Sequence, residues 1–408
     1  MNLEHNPEPL LAWLSHRLEP NLAALRRLVE GNSFTANAGG VNEQGRLTAG
    51  LFTELGFTPE FVPSDHAGYG SHLFLHRRGS LPGPPVLLVS HLDTVYPPQE
   101  EQAHDFRWDP QPAEGRIYGP GTVDIKGGTT LLLLTLEGLR QFAPGLFAAH
   151  SWLIALDASE ETLSDDFARR TTERCPDGAK AVLVFEGGPV IDGAWQIVDS
   201  RKGRERFRLS ARGRAAHAGS AHADGINAIV SLAEAVREAA RLTDHEAALT
   251  LNIGCIHGGT VVNRVPHEAE AELEVRAYRP DQLDQAAAAL RALERELQPP
   301  HQAEIRVTSL GRSPAWPRPA TGPALADHWV RAAAALGLHV VPGPRGGLSD
   351  ANYLCGLGPT LDGLGPSGGN AHCSERSADR VKLPEYVEPG TFVPKAALNI
   401  LALLRFLV

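Results

Sequence analysis

Short apolar runs in this chain end in residues able to do chemistry. Pro85-Val86-Leu87-Leu88-Val89-Ser90 leads directly into His91-Leu92-Asp93. Leu153-Ile154-Ala155-Leu156 is followed by Ser159-Glu160-Glu161, and Val182-Leu183-Val184-Phe185 by Glu186-Gly187-Gly188. Two glycine-rich segments carry further candidates: Asp124 within Gly119-Pro120-Gly121-Thr122-Val123-Asp124-Ile125-Lys126-Gly127-Gly128, and His372 at the end of Gly368-Gly369-Asn370-Ala371-His372. In open α/β sheets, sites form beyond the carboxyl ends of the strands. His91 and Asp93 are two apart and face the same way in an extended chain. A metal-bound imidazole usually gives its other ring N–H to a carboxylate, which suits that pair. An exposed histidine beside a turn-forming aspartate fits the same residues.

The other motifs also read two ways. The Gly119 to Gly128 loop either presents Asp124 as a ligand or cradles a phosphate at a helix N-terminus, although it lacks the GxxxxGK[ST] and GxGxxG spacings. Glu160 and Glu161 are either a solvated helix start favoured by the helix dipole or a divided pair. In the divided pair one acid binds a metal and the other takes a proton from water. Taken as one site, Asp124, Glu161 and Glu186 bring three negative charges, and His91 and His372 are neutral. Two divalent ions would balance these and leave room for one anionic ligand. Dinuclear hydrolytic centres hold their ions about 3.5–4 Å apart. A mixed histidine and carboxylate set suits two Zn²⁺ per chain, with Co²⁺ or Mn²⁺ as substitutes.

These residues need a scaffold of strands alternating with helices. The pattern predicts strands over 71–76, 85–90, 151–156 and 181–185. Helices are expected over 10–29, bent or broken near Pro20, over 43–55, closed by Gly56, and over 129–142. This is α/β organisation. The character changes near Arg201. Strands at 205–212, 248–256, 268–278 and 303–310, with helices at 225–242 and 281–297, give the order β-α-β-β-α-β of a ferredoxin-like domain. A Pro- and Gly-rich stretch at 311–323 leads back into α/β sequence. The expected division is 1–201 and 314–408 for a larger domain and 202–313 for a smaller inserted one.

A length of 408 residues fits two or three domains. A net charge of −10 argues against a nucleic-acid binder held by a general positive field. With 42% hydrophobic and 21% charged residues the chain is globular rather than disordered. The apolar stretch around Leu131 to Leu136 is far short of the roughly 20 residues of a membrane span, so no membrane partner is expected. No secretory signal is visible. Four cysteines without a CxxC pair point to a reducing cytoplasm.

The motifs together resemble the dinuclear zinc peptidases that include glutamate carboxypeptidase, acetylornithine deacetylase, succinyl-diaminopimelate desuccinylase and the aminoacylases. SHLDTVYP at 90–97, GPGTVDIKGG at 119–128, SEE at 159–161, FEGG at 185–188 and GGNAH at 368–372 fall in that family's order. GRAAHAG at 213–219 and NRVPHEAEAELEVR at 263–276 match its smaller domain. The resemblance implies a mixed-sheet catalytic domain flanked by helices, with an inserted ferredoxin-like α+β lid and dimerisation domain, and a homodimer. It implies that Asp124 bridges two metals, that His91 and Glu186 hold one, and that Glu161 and His372 hold the other. Glu160 would be the general base and Asp93 would orient His91. His217 would stabilise the oxyanion, often from the partner subunit. Asn263 and Arg276 would grip the substrate, with Arg312 and Gly347 as further contacts. HLDTVYP and GGLSDANY look most like the glutamate carboxypeptidases, so a small peptide with a C-terminal glutamate-type residue is the expected substrate and an N-acyl amino acid the alternative. A rival of another class is a non-catalytic binding protein on the same fold. Two departures stand out: Ser159 where the family usually has aspartate, and Cys373 where serine or threonine often follows the histidine.

Overall fold

The computed structural model describes residue 3 and residues 5–162, 165–297, 303–318, 325–379 and 381–408. The chain separates into two compact units. The first comprises Met1–Asp199, Pro319–Pro344 and Ser349–Val408, and the second Ser200–Arg318 and Arg345–Leu348. The last part of the Pro- and Gly-rich stretch, 319–323, lies outside the described residues.

The first unit is organised by a six-stranded sheet in the order Thr58–Pro63, Ser71–Arg77, Trp152–Asp157, Val86–His91, Ala181–Val184, Thr360–Leu361. The first two pairings are antiparallel and the other three parallel. Every residue of the strands Val86–His91, Trp152–Asp157 and Ala181–Val184 is buried, which explains their unbroken apolar character: a parallel sheet is covered on both faces. Each fully buried Val, Leu or Ile here contributes roughly 1.5–3 kcal/mol by leaving water.

The covering helices follow the predicted pattern with differences. The helix Glu8–Val29 runs through Pro20 without a break. Pro20 and His16 are both exposed, so water can satisfy the His16 carbonyl that loses its partner, while Leu14, Asn21 and Leu25 anchor the helix on either side. The next helix starts earlier than expected, at Ala38–Phe52, because the Asn37 side chain caps it by accepting the Gly40 N–H. Gly56 then ends the following turn at φ 81°, a conformation that favours glycine. The buried helix Lys126–Phe142 carries the core residues Leu131, Leu132, Leu134 and Leu136.

The segment Pro389–Leu407 is long and apolar enough by composition to cross a membrane. It is longer than the apolar stretch around Leu131 to Leu136 on which the expectation of no membrane partner rests. Its helix Phe392–Leu407 is a core element, with Phe392, Leu398, Ile400, Leu401 and Leu403 in the same cluster as Leu131 and Trp329. Pro394, Lys395 and Asn399 interrupt its apolar run.

The second unit has the strand order Thr250–Gly258, Glu268–Ala277, Gly203–Arg212, Glu304–Ser313, all antiparallel. With the helices Ala228–Ala240 and Pro280–Glu296 it completes the β-α-β-β-α-β order of the ferredoxin-like pattern. The two central strands, Gly203–Arg212 and Glu268–Ala277, alternate: Phe207, Leu209, Ala211, Leu273 and Val275 join helix residues Leu232 and Leu290 in a core of its own, and the intervening residues form an open face.

Candidate metal centre

The three buried parallel strands are in register, with His91 opposite Asp157 and Val89 opposite Val184. Their carboxyl ends therefore release His91, Glu160 with Glu161, and Glu186 side by side. Asp93 is the hinge of the arrangement. Its carboxylate accepts the Thr35 hydroxyl at 2.6 Å, the Glu160 N–H at 3.1 Å and the Glu161 N–H at 3.3 Å. The His91 Nδ1 lies 3.0 Å from the Asp93 carbonyl oxygen and 3.3 Å from its Oδ1. One buried acid thus sets the ring of His91 and caps the short turn Glu160–Thr162.

Glycines allow Asp124 to join this group. A Cβ on Gly128 would stand 1.9 Å from the Phe185 carbonyl, and one on Gly127 would stand 2.2 Å from the Thr122 carbonyl. Only bare backbone lets the loop fold back on itself and the helix start press against the residue before Glu186. The peptide after Asp124 is cis. His372 arrives on a turn at φ 65°, a region non-glycine residues seldom occupy, and its side chain is 55% exposed whereas that of His91 is buried.

The structure brings together all five residues proposed from the sequence as ligands. Asp124 Oδ1 lies 3.0 Å from His91 Nε2, and Asp124 Oδ2 lies 3.3 Å from His372 Nε2. His91 Nε2 is 3.8 Å from Glu186 Oε1, and His372 Nε2 is 3.1 Å from Glu161 Oε2. Ligand atoms of His91, Asp124 and Glu161 all fall within 4.8 Å of one another. With metal–ligand bonds of about 2.0–2.1 Å, atoms sharing one tetrahedral ion stand about 3.3 Å apart, so these separations fit two divalent ions.

The electrostatics express the same demand for positive charge. Burial alone would raise the Asp124 carboxyl, but hydrogen bonds from His372 and His91 hold it well below the usual range. The Asp124 and Glu161 carboxylates push His372 up to about 10. Burial opposes a charge on His91, yet Asp124 and Asp93 raise it well above an ordinary imidazole. Without metal, two protonated histidines supply the positive charge. Burial raises the Glu160 carboxyl far above the usual range, and the nearby Asp350, Glu186 and Glu161 push it further, against the opposing pull of His91. Asp350 had no role in the sequence reading, although it stands within the quoted GGLSDANY motif. It is buried and is itself raised by burial and by Asp157.

The second unit holds the remaining candidates. His217 is exposed on a loop joined to Asn263, whose carbonyl accepts the Ala218 N–H at 3.0 Å. His217 Nδ1 accepts the N–H groups of Gly219 and Ser220, each at 3.1 Å. A neutral ring so held carries its proton on Nε2 and offers it as a donor. Arg276 is paired with Glu274 at 2.7 and 3.2 Å, and it donates to the carbonyl of Gly346, next to Gly347. Arg312 does not join that group. Its guanidinium bonds Asp284 at 2.6 Å and the Pro280 carbonyl, both on the helix Pro280–Glu296, so it lies on the helix side of the sheet.

Residues 200–302 match the M20 family's peptidase dimerisation domain. Carboxypeptidase G2 from Pseudomonas sp. (strain RS-16) is 28% identical over 86% of this chain and 82% of its own length. Acetylornithine deacetylase from Klebsiella pneumoniae (strain 342) is 26% identical over 64% of this chain and 69% of its own. The crystal structure of aminopeptidase PepT from Bacillus cereus superimposes with a TM-score of 0.76, covering 95% of this chain and 98% of that one at 22% identity, and shows the same fold. The chain is a hydrolase related along most of its length to the M20 metallopeptidases and amidohydrolases.

Proposed function

We propose that the protein is a dinuclear zinc hydrolase that cleaves an amide or peptide bond next to a free carboxylate, releasing a C-terminal glutamate-type residue. The observation that carries this reading is Asp124, which turns one oxygen to His91 and the other to His372. One carboxylate thereby joins two half-sites, completed by Glu186 on one side and Glu161 on the other. When bound there, the ions polarise the scissile carbonyl and acidify the attacking water.

Glu160 is nearly buried beside Glu161 at the end of the central strands. Its turn is held by Asp93, which fixes where the carboxylate points. It takes the proton of the attacking water and hands it to the leaving amine. His217 offers an Nε2 proton to the developing oxyanion. Arg276, next to Gly347, grips the substrate carboxylate in a bidentate fork, and Asn263 is a further substrate contact. Arg312, committed to the helix side, is left out of this set.

The dimerisation domain supports a homodimer. The strand Thr250–Gly258 is a sheet edge, and Ile229, Val230, Ile256, Val261 and Val262 are exposed near it; apolar edges of this kind are commonly covered by a second copy. Similarity to acetylornithine deacetylase favours N-acyl amino acid deacylation as a second reading. A screen of peptidyl and N-acyl amino acids with zinc, varying the C-terminal residue, tests the proposal. Highest kcat/KM on glutamate-terminated substrates is expected. Highest turnover of N-acetylated amino acids selects the second reading, and no hydrolysis of either set overturns both. In a dimer that shares sites, mixing inactive His217→Ala and Glu160→Gln chains restores partial activity.

A further inference from the structure

Glu385 grips both segments that deliver the ligands Asp124 and His372. Its side chain is fully buried. Oε1 accepts the N–H of Val123 at 2.8 Å and that of Asp124 itself at 3.0 Å. Oε2 accepts the Tyr96 hydroxyl at 2.7 Å. The Glu385 carbonyl accepts the Gly119 N–H at 3.2 Å, and the Glu385 N–H donates to the Cys373 carbonyl at 2.7 Å. A single residue thus binds both ends of the Asp124 loop and the residue after His372.

A small four-stranded sheet extends the clasp. The strand Tyr386–Val387, which begins directly after Glu385, pairs on one side with Gly368–Gly369 and on the other with Arg116–Tyr118. Those two strands run into the His372 turn and the Asp124 loop respectively. The ligands are 248 residues apart in sequence, and their shared metal requires them to meet within a few tenths of an ångström. Asp124 must also present an oxygen to each histidine, so its backbone orientation decides whether it can bridge. Supporting shells of this kind commonly change metal affinity about 10–100-fold.

We propose that Glu385, backed by Tyr96, is a positioning residue for the metal pair: by accepting the Val123 and Asp124 N–H groups it fixes the Asp124 carboxylate between His91 and His372. The proposal rests on the dinuclear reading above. A glutamine at 385 keeps the acceptor oxygen, and its amide N–H₂ faces a Tyr96 hydroxyl that can rotate to accept. An alanine removes the acceptor.

The test uses the full chain stripped of metal. Zinc affinity is measured by competition with a chromogenic chelator, the Co²⁺ absorption spectrum is recorded, and circular dichroism checks the fold. Glu385→Gln should bind zinc within about threefold of wild type, whereas Glu385→Ala should lose at least tenfold, the lower bound for such shells, with an altered Co²⁺ spectrum. Tyr96→Phe should lose less, in the same direction. A folded Glu385→Ala with wild-type affinity and spectrum overturns the proposal. So does an equal loss in Glu385→Gln, which would assign the effect to charge. If Glu385→Ala does not fold, Tyr96→Phe decides, and unchanged affinity there overturns it. Wild-type protein that fails to bind two ions refutes the dinuclear reading instead.

Discussion

His91, Asp93, Asp124, Glu160, Glu161 and Asp350 crowd one end of the first unit's sheet, mostly buried and mostly of one sign. On the open face of the second unit's sheet, Arg204, Arg206 and Arg208 on one strand lie beside Glu270, Glu272 and Glu274 on the next. There Arg206 and Arg208 both meet Glu272 across the strands, at 3.2 and 2.6 Å, and Glu274 meets Arg276 on its own strand at 2.7 Å. The two regions differ in what would happen if a partner were removed. Water replaces a lost partner on the exposed ladder, so its pairs contribute little. In the buried cluster nothing does, so the surplus of acids demands bound positive charge. Charge density alone does not mark a function; burial of uncompensated like charge does.

That contrast can be tested from the strongest expected effect downward. Glu160→Gln should lower kcat by about 10²–10⁴-fold, the range for a positioned general base, with both ions retained. Glu161→Gln should lose an ion. Metal analysis alongside kinetics checks the pair, and the reverse pattern would mean the two roles are exchanged.

A second buried group sharpens the point without metal. His72 is fully buried, with Nδ1 3.1 Å from Asp157 and Nε2 3.1 Å from Asp166. His72→Phe would take one partner from each of two buried acids, leaving Asp157 with Ser159 and Asp166 with Ser64 and the Asp65 N–H, and should cost roughly 1–3 kcal/mol in denaturant unfolding. Burial opposes a charge on His72, but Asp157 and Asp166 raise it above an ordinary imidazole. Its contribution is therefore complete below about pH 6.5 and fades as pH rises through the raised folded value. Burial would raise Asp166, yet the Asp65 N–H and His72 hold it at about 2. Its contribution is complete above about pH 4 and fades as pH falls toward 2. The difference in melting temperature between wild type and variant should therefore peak at about pH 4–6.5. A flat difference would deny the charged relay.

Arg276→Ala should raise KM for carboxylate-bearing substrates by about 10–100-fold, in line with loss of a charged hydrogen bond, with metal content unchanged. Arg208→Ala, on the exposed ladder, should melt with the wild type. A clear loss there would blur the contrast between the two faces.

The clustering of His91, Asp124, Glu161, Glu186 and His372 was legible in the sequence because each stands at a strand end or in a glycine-rich loop, and those signals are local. The ferredoxin-like order was legible from alternation, as in the strand Glu268–Ala277. Glu385 escaped notice because its partners, Val123, Asp124 and Tyr96, lie more than 250 residues away; the local trace is only an acid between Pro384 and the apolar pair Tyr386-Val387. The pairing of Arg312 was hidden for the same reason, since only the helix packing reveals Asp284 as its partner. Short strands such as Thr58–Pro63 carry two prolines and exposed residues, so no alternation marks them.

The central claim is that the buried cluster exists to hold two ions through Asp124. Elemental analysis of zinc-loaded, desalted protein tests it most directly, with Asp124→Ala measured in parallel. The account predicts two zinc ions per chain in the wild type and loss of both from a folded Asp124→Ala. One ion or none in the wild type, or two retained without Asp124, would contradict it.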